Sequence, residues 1–441
     1  NNVLAQRDSK VIFLVRGALE VIAPMCKKGD LDSASAWAQA QGRLGRRVLA
    51  IAVKPIRKLD FNAFCARFRD EENNLELKGL ISFADPVKAS AVSAVNKAGD
   101  LGVGIKIITG DSLDVAAAVG FEVGLCQNPD EAISAADFNK LDEAGKEEAL
   151  RRYNIFARVA PEQKHDIIKR LQAQYSVGYL GDGINDAPAL KAAGVSLAVN
   201  NASDIAREAA DIILLENDLN IIIEGVREGR AIFANSIKYI KATLASNFGN
   251  FYAVAIASLL VDYLPMLPLQ ILLLNLVSDF PMIAIAGDNV DDEELLRPRH
   301  YEVKDIIVAA MVLGIISTFF DFVFFALFSR ISPEVLQTNW FIASTITELV
   351  FVFSIRTRRF FLFARRPGKA LFWLTLPAAA LALIIPYTSF GHDFFRFVSP
   401  QPRHLLWILG ISALYLLSTE IFKLLYYRQK KIFKNSSPVI S

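Results

Sequence analysis

The chain has 441 residues, 53% of them hydrophobic and 21% charged, with 48 Lys and Arg against 46 Asp and Glu and a formal net charge of +2. That average is too apolar for an ordinary soluble enzyme and too charged for a pure membrane bundle, which points to two unlike halves in one chain. The near balance excludes a strongly basic nucleic-acid binder and a disordered acidic chain, and Cys26, Cys65 and Cys126 lack the spacing of a disulfide framework or a cysteine zinc site.

In chain order, the first residues, Asn1-Asn2-Val3, carry no Met and no signal-peptide core, and the chain reads as part of something longer. Roughly the first seventy residues look irregular and end in a charged stretch, Arg67–Asn74, with the character of a linker. Strand-like and helix-like segments then alternate. Strands are expected at Leu77–Phe83, Gly104–Thr109, Asn154–Ala157, Ser176–Leu180, Val195–Val199 and Asp211–Leu215. Helices are expected at Val87–Ala98, Pro161–Gln174 and Asn185–Ala193. This alternation predicts a doubly wound parallel sheet, with ligands at the carboxyl ends of its strands.

After about Asn235 the chain turns apolar. Six stretches approach the ~20 residues that cross a bilayer core. They are Tyr239–Val261, Met266–Ala286, Ile306–Phe328, Trp340–Ile355, Leu371–Pro386 and Leu405–Leu425. Buried helices of a large soluble core are the alternative, but too little polar face separates the stretches. The loop Arg356–Lys369 and the tail from Lys423 to Lys434 are rich in Lys and Arg, which places them and the soluble half on the cytoplasmic side. The opposite loops, Asp262–Pro265, Ser329–Thr338 and Tyr387–Arg403, are poorer in them.

Three polar loops follow apolar strands: Thr109-Gly110-Asp111, Arg158 to Lys164, and Gly181-Asp182-Gly183-Ile184-Asn185-Asp186-Ala187-Pro188. The two glycines of the third allow a tight turn and a close approach to a ligand. Asp182 and Asp186 lie four apart as the loop enters a helix, so both can point into one pocket and hold Mg²⁺ beside a phosphate. A solvated turn is the plain reading of GDG alone. Thr109 offers a hydroxyl and Gly110 an amide to a phosphoryl oxygen, and Lys164 offers a positive charge near a helix start. Each is weak alone; order and spacing on one sheet give the set its strength.

This set, followed by six spans, resembles the C-terminal half of a P-type cation-transporting ATPase, whose catalytic domain is of the haloacid dehalogenase type. The resemblance implies an α/β, Rossmann-type cytoplasmic domain plus a bundle of six transmembrane helices. It implies a C-terminal part of a nucleotide-binding domain over 1–74, a phosphorylation domain over 75–237, transmembrane helices over 238–428 and a cytoplasmic tail over 429–441. The cofactors implied are ATP and Mg²⁺. Thr109 matches the phosphate-contacting Thr, with Gly110 and Asp111 beside it, and Lys164 the phosphate-stabilising Lys. Asp182 matches the Mg²⁺ ligand, with Asn185 and Asp186 following. Arg16-Gly17 resembles the nucleotide-domain KGA motif with Arg in place of Lys. Arg47 matches an arginine on nucleotide phosphates, Arg158 belongs to the Arg-Val motif, and Asp85-Pro86 resembles the interdomain hinge. No DKTGT motif occurs, so the resemblance places the phosphoryl acceptor upstream of Asn1 and implies an inactive fragment without that half.

Six spans and the lack of a Cys-Pro pair disfavour heavy-metal pumps. Asn247-Phe248-Gly249-Asn250, Pro265 to Gln270, Asp288 to Glu293 and Ile355 to Arg359 resemble the bacterial magnesium-transporting pumps. Asn275-Leu276-Val277-Ser278-Asp279 is closer to the calcium-pump type. Independently, an ionisable group inside a span is costly enough to be a functional candidate. Asp279 is one, with Asn275 one turn before it, and Pro281 after it can interrupt the helix and free carbonyls. Asn247, Asn250, Ser278 and Glu348 complete an all-oxygen set suited to a hard cation, against the alternative of interhelical hydrogen bonding. Asp321 has no partner in the sequence, and His165, His300, His392 and His404 are too scattered to ligate a metal.

The expected protein is a multi-pass pump subunit of a bacterial inner membrane, with residues 1–237 and the C-terminus cytoplasmic. It carries a divalent cation, Mg²⁺, across the lipid bilayer, needs its missing N-terminal half as partner, and binds no nucleic acid. The helix after Asp218 runs into the first span and would couple the two sites. The rivals are a calcium or other cation pump, a membrane-tethered phosphatase, and a non-catalytic relative.

Overall fold

The computed structural model describes residues 2–7, 10–56, 73–128, 131–298 and 302–436. The chain folds as two compact units, Asn1–Glu224 and Gly225–Ser441.

The first unit opens with a five-stranded sheet. Strands β1 (Asn2–Arg7), β2 (Lys10–Gly17), β3 (Cys26–Lys28), β4 (Arg46–Ile56) and β5 (Leu75–Ala84) lie in the order β1-β2-β4-β5-β3. All neighbours are antiparallel except β3 and β5. Helix α1 (Leu31–Arg43) covers it, its first turn capped by Asp30, which accepts from the Ser33 amide at 3.1 Å. Phe13, Val15, Ala50, Ala52 and Leu75 form the core beneath. The described part of the region expected to be irregular is therefore ordered. Its alternation is faint in the sequence because the buried positions of β4 are the small residues Ala50 and Ala52. The strand expected at Leu77–Phe83 exists, but it pairs antiparallel with β4 and not within the parallel sheet. Of the linker expected at Arg67–Asn74, residues 67–72 lie outside the described residues, as does His300.

Beyond α2 (Ala89–Asp100) come two three-stranded parallel sheets. One has β6 (Ile107–Ile108), β7 (Ala132–Ser134) and β8 (Ile155–Ala157) in the order β6-β8-β7. The other has β9 (Gly178–Gly181), β10 (Val195–Val199) and β11 (Ile212–Leu214) in the order β11-β10-β9. Strand β6 is shorter than the Gly104–Thr109 expected. It is an edge strand of its sheet, and β9 is an edge strand of the other. Helices α3 (Leu113–Glu122), α4 (Pro161–Gln172) and α5 (Ala187–Ala192) follow β6, β8 and β9. Pro161 opens α4, and the Gln163 side chain closes its first turn by accepting from the Ala160 amide at 2.8 Å.

In the second unit, α6 (Asn220–Ala257), begun in the first, is followed by α7 (Pro268–Ile283), α8 (Val303–Phe328), α9 (Pro333–Ile355), α10 (Lys369–Ile384) and α11 (Pro402–Ser436). Among the described residues, five helices are long and apolar enough to cross a membrane: Pro268–Gly287, Val303–Phe328, Pro333–Ile355, Lys369–Tyr387 and Pro402–Gln429. The first expected span, within α6, is not among them, because Lys241, Asn247 and Asn250 interrupt its apolar run. The window of α9 is 83% buried, against at most 44% for the others, so α9 is the axis of the bundle. Pro281 does not end α7, which continues to Ile283 before a 3-10 turn at Ala284–Gly287.

Candidate active site and cation site

Short loops at the strand ends of the first unit carry the candidate residues. Thr109 follows β6 and is held by backbone on both sides. Its amide donates to the Phe156 carbonyl and its carbonyl accepts from the Val159 amide, both at 2.9 Å. Its hydroxyl accepts from the Asp111 amide at 3.1 Å, which closes the turn. The Asp111 carbonyl accepts from the Arg158 amide at 2.9 Å. Arg158 has φ 55°, a left-handed backbone uncommon for a non-glycine residue, and so the two loops are locked at the cost of local strain.

Two exposed ion pairs join these loops to the N-terminal sheet and its flank. Arg47 reaches Asp111 at 2.7 Å, and Arg158 reaches Glu20 at 2.6 Å. Arg16 is exposed at the end of β2, beside Gly17.

The densest polar contact is at Asp186. Its Oδ1 accepts from the Lys164 ammonium at 2.7 Å and from the Tyr179 hydroxyl at 2.9 Å. Its Oδ2 accepts from the Gly183 amide at 3.2 Å. Burial opposes its ionisation, but the Lys164 and Tyr179 hydrogen bonds outweigh it and hold the carboxyl below the usual range. Burial, then the Asp186 charge, pushes the Tyr179 hydroxyl well above its ordinary value. Gly181 makes this possible: a Cβ there would meet the Asp186 Cβ at 2.8 Å. Asp182 and Asn185 are exposed on the same turn, and the Asp182 carbonyl accepts from the Ser203 amide at 2.9 Å.

Among the described residues no group of three or more His, Cys, Asp and Glu could hold a metal. Mg²⁺ needs less, since it keeps several waters and is commonly held by one or two carboxylates plus phosphate. The exposed Asp182 carboxylate fits that role, with Asp186 tied to Lys164 behind it. Tyr179 is the residue that sequence reasoning missed. It lies in the apolar run of a strand, where nothing marks a hydroxyl as functional.

In the second unit, Asn250 donates to the Glu348 carboxylate at 2.8 Å, and Glu348 is 7% exposed. Ser278 is buried and donates to the Leu274 carbonyl at 3.0 Å. Asn275 is half-buried, while Asn247 and Asp279 are exposed. The structure thus brings Asn250 and Ser278 to the Glu348 carboxylate, together with Ser246, which the sequence did not single out, and leaves Asp279 exposed but close enough for its charge to act on Glu348. Asp321, for which the sequence offered no partner, is buried and accepts from the Trp340 indole N–H at 2.8 Å.

A family described as haloacid dehalogenase-like hydrolase matches residues 22–194, and one described as the C-terminus of cation transporting ATPases matches residues 263–425. The magnesium-transporting ATPase, P-type 1, of Escherichia coli K12 is 38% identical over 97% of this chain and 49% of its own length. That of Salmonella typhimurium LT2 is 36% identical over the same shares. This is the P-type cation-transporting ATPase family. A calcium-transporting ATPase of Bacillus subtilis is 27% identical over 93% of this chain and 48% of its own length. The chain spans about half the length of the P-type ATPases it matches. The haloacid dehalogenase-like match covers α3, α4 and the loops around Thr109, Lys164 and Asp186, and the second match covers α7 to α10.

Proposed function

We propose that this chain is the C-terminal part of an ATP-driven pump for a divalent cation, Mg²⁺, that works through phosphorylation of an aspartate supplied by the upstream half. The observation that carries this is the Lys164–Asp186 pair at 2.7 Å, which draws the loop after β8 and the loop after β9 to one point. Such convergence of a lysine and carboxylates at parallel strand ends suits phosphoryl transfer, where positioning and electrostatics do most of the work. Bound Mg²⁺ would neutralise phosphate charge at Asp182. Thr109 and the Gly110 amide would hold phosphoryl oxygens, Lys164 would steady the same group, and Asn185 would flank it. Arg16, Arg47 and Arg158 would face the nucleotide. A strand inserted between the edges β6 and β9 would join the two small sheets into one and set its own terminus beside Thr109 and Asp182.

In the bundle, α6 would add a first span to the five and bring their number to six. The exposed face with Asn247 and Asp279, and the partly covered Asn275, would be closed by spans of the upstream half, with Ser278 and Glu348 as buried oxygen ligands. The 36–38% identity to magnesium pumps, against 27% to the calcium pump, supports Mg²⁺. The Lys- and Arg-rich loops support a cytoplasmic first unit in a bacterial inner membrane.

The test uses the full-length protein in vesicles. ATP-dependent uptake of Mg²⁺, with an acid-stable phosphoenzyme, is the expected outcome. Uptake of Ca²⁺ alone would replace the substrate, and hydrolysis of small phosphate esters without uptake would favour a tethered phosphatase.

A further inference from the structure

Asp186 has two calls on one oxygen. Lys164 and Tyr179 both donate to Oδ1, while Oδ2 receives only the longer bond from the Gly183 amide. Asp186 is 8% exposed, and Gly181 lets its backbone sit against β9. A carboxylate oxygen saturated by two protein donors, one of them charged, has little left for a metal ion. The same oxygen freed of one donor has a lone pair to offer.

We propose that Tyr179 is a positioning residue that holds Asp186 in its lysine-paired pose and so sets how readily Asp186 turns to a magnesium ion. The inference rests on the pump reading for its metal and on the hydrogen-bond geometry of Asp186 for its mechanism. The Tyr179 ring is fixed in β9, so its hydroxyl is a stationary donor. Lys164, on the first turn of α4, is a flexible one. Turning Oδ1 of Asp186 toward a metal beside Asp182 would break its bond to Tyr179 and would free Lys164 along with it. Tyr179 therefore raises the magnesium concentration at which the lysine is set free.

The experiment measures Lys164 alone. The full-length protein, without nucleotide, is treated with an amine-acetylating reagent across a magnesium titration, and each lysine is read by peptide mass spectrometry. Magnesium should raise Lys164 labelling in the wild type. In Tyr179→Phe, basal labelling should rise and the magnesium midpoint should fall by about tenfold to a hundredfold, the range of one hydrogen bond to a charged group. Lys106, whose ammonium donates to the Tyr153 carbonyl at 2.7 Å, reports folding of the neighbouring sheet in the same sample. An unchanged or higher midpoint overturns the proposal, as does a parallel rise at Lys106, which would make Tyr179 a merely structural residue. Asp186→Asn should abolish the magnesium response; a response that survives it also overturns the proposal. Because no ATP is present, failure of the pump reading would show separately, as absent phosphoenzyme and absent cation uptake.

Discussion

Single side chains carry most of what can be tested at the site. Lys164→Met leaves Asp186 buried without its cationic partner, and the full-length protein should lose phosphoenzyme formation by two orders of magnitude or more, on the order expected for removing an electrostatic stabiliser. Quantifying the trapped phosphoenzyme checks it. Asp186 also makes a pH prediction. Its folded value lies below the ordinary carboxylate range, so its contribution to stability is complete above that range and is lost as pH falls through the lower folded value. Thermal melts from pH 5 down to about pH 2 should therefore show a decline that Asp186→Asn lacks. In the bundle, Asp279→Asn should remove cation stimulation of ATP hydrolysis while nucleotide binding persists; an unchanged cation dependence removes Asp279 from the site. At this scale much was legible. Thr109, Lys164, Asp182 and Asp186 are each weak signals alone and stand out by their order and spacing along the alternating strands, and Lys164 and Asp186 do meet. Tyr179 and Trp340 were not legible, because an aromatic residue inside an apolar segment looks like packing until its polar atom finds a carboxylate.

Between elements, the second unit is tied together by buried ions more than its sequence announces. Arg356 is 3% exposed and donates to Asp288 at 2.6 Å and to the Arg365 carbonyl at 2.8 Å. Asp288 also accepts from the Gly368 amide at 2.6 Å, and Asp291 from the Thr357 hydroxyl at 2.6 Å and the Arg365 amide at 3.0 Å. Lys238 of α6 meets Glu294 at 3.1 Å, and Lys423 of α11 meets Glu420 and the Ser354 carbonyl. The loops after α7 and α9 are thus clasped through charges taken out of water. Breaking such a pair from one side is costly, so Arg356→Ala should destabilise the protein by about 3–5 kcal/mol, while replacing Arg356 and Asp288 together by apolar residues should cost less. Melting in detergent separates the two outcomes. The positive residues of this loop were legible, and they led to an argument about sidedness. The burial of Arg356 among them was not, since charge runs are ordinarily solvated, as Arg358, Arg359, Arg365, Arg366 and Lys369 are here. Helix contact was equally hidden: a Cβ on Gly314 of α8 would meet the Phe248 Cβ at 2.9 Å and the Gly249 amide nitrogen at 3.2 Å, and so Gly314→Val should pry α6 from α8.

Taken whole, the molecule joins an α/β unit to a helical bundle, two unlike halves of the kind the average composition pointed to. The alternation of strands and helices was readable because parallel strands buried on both faces are short apolar runs. What composition could not show was the division of that alternation into two sheets of three, since pairing order depends on contacts remote in sequence. One consequence concerns what happens when this polypeptide is made by itself. Strands β6 and β9 each have a neighbour on one side only, and an open strand is a template for any extended segment that drifts past. Solitary synthesis should then yield material prone to clumping and to proteolytic clearance, and co-translation with the upstream half should rescue its yield.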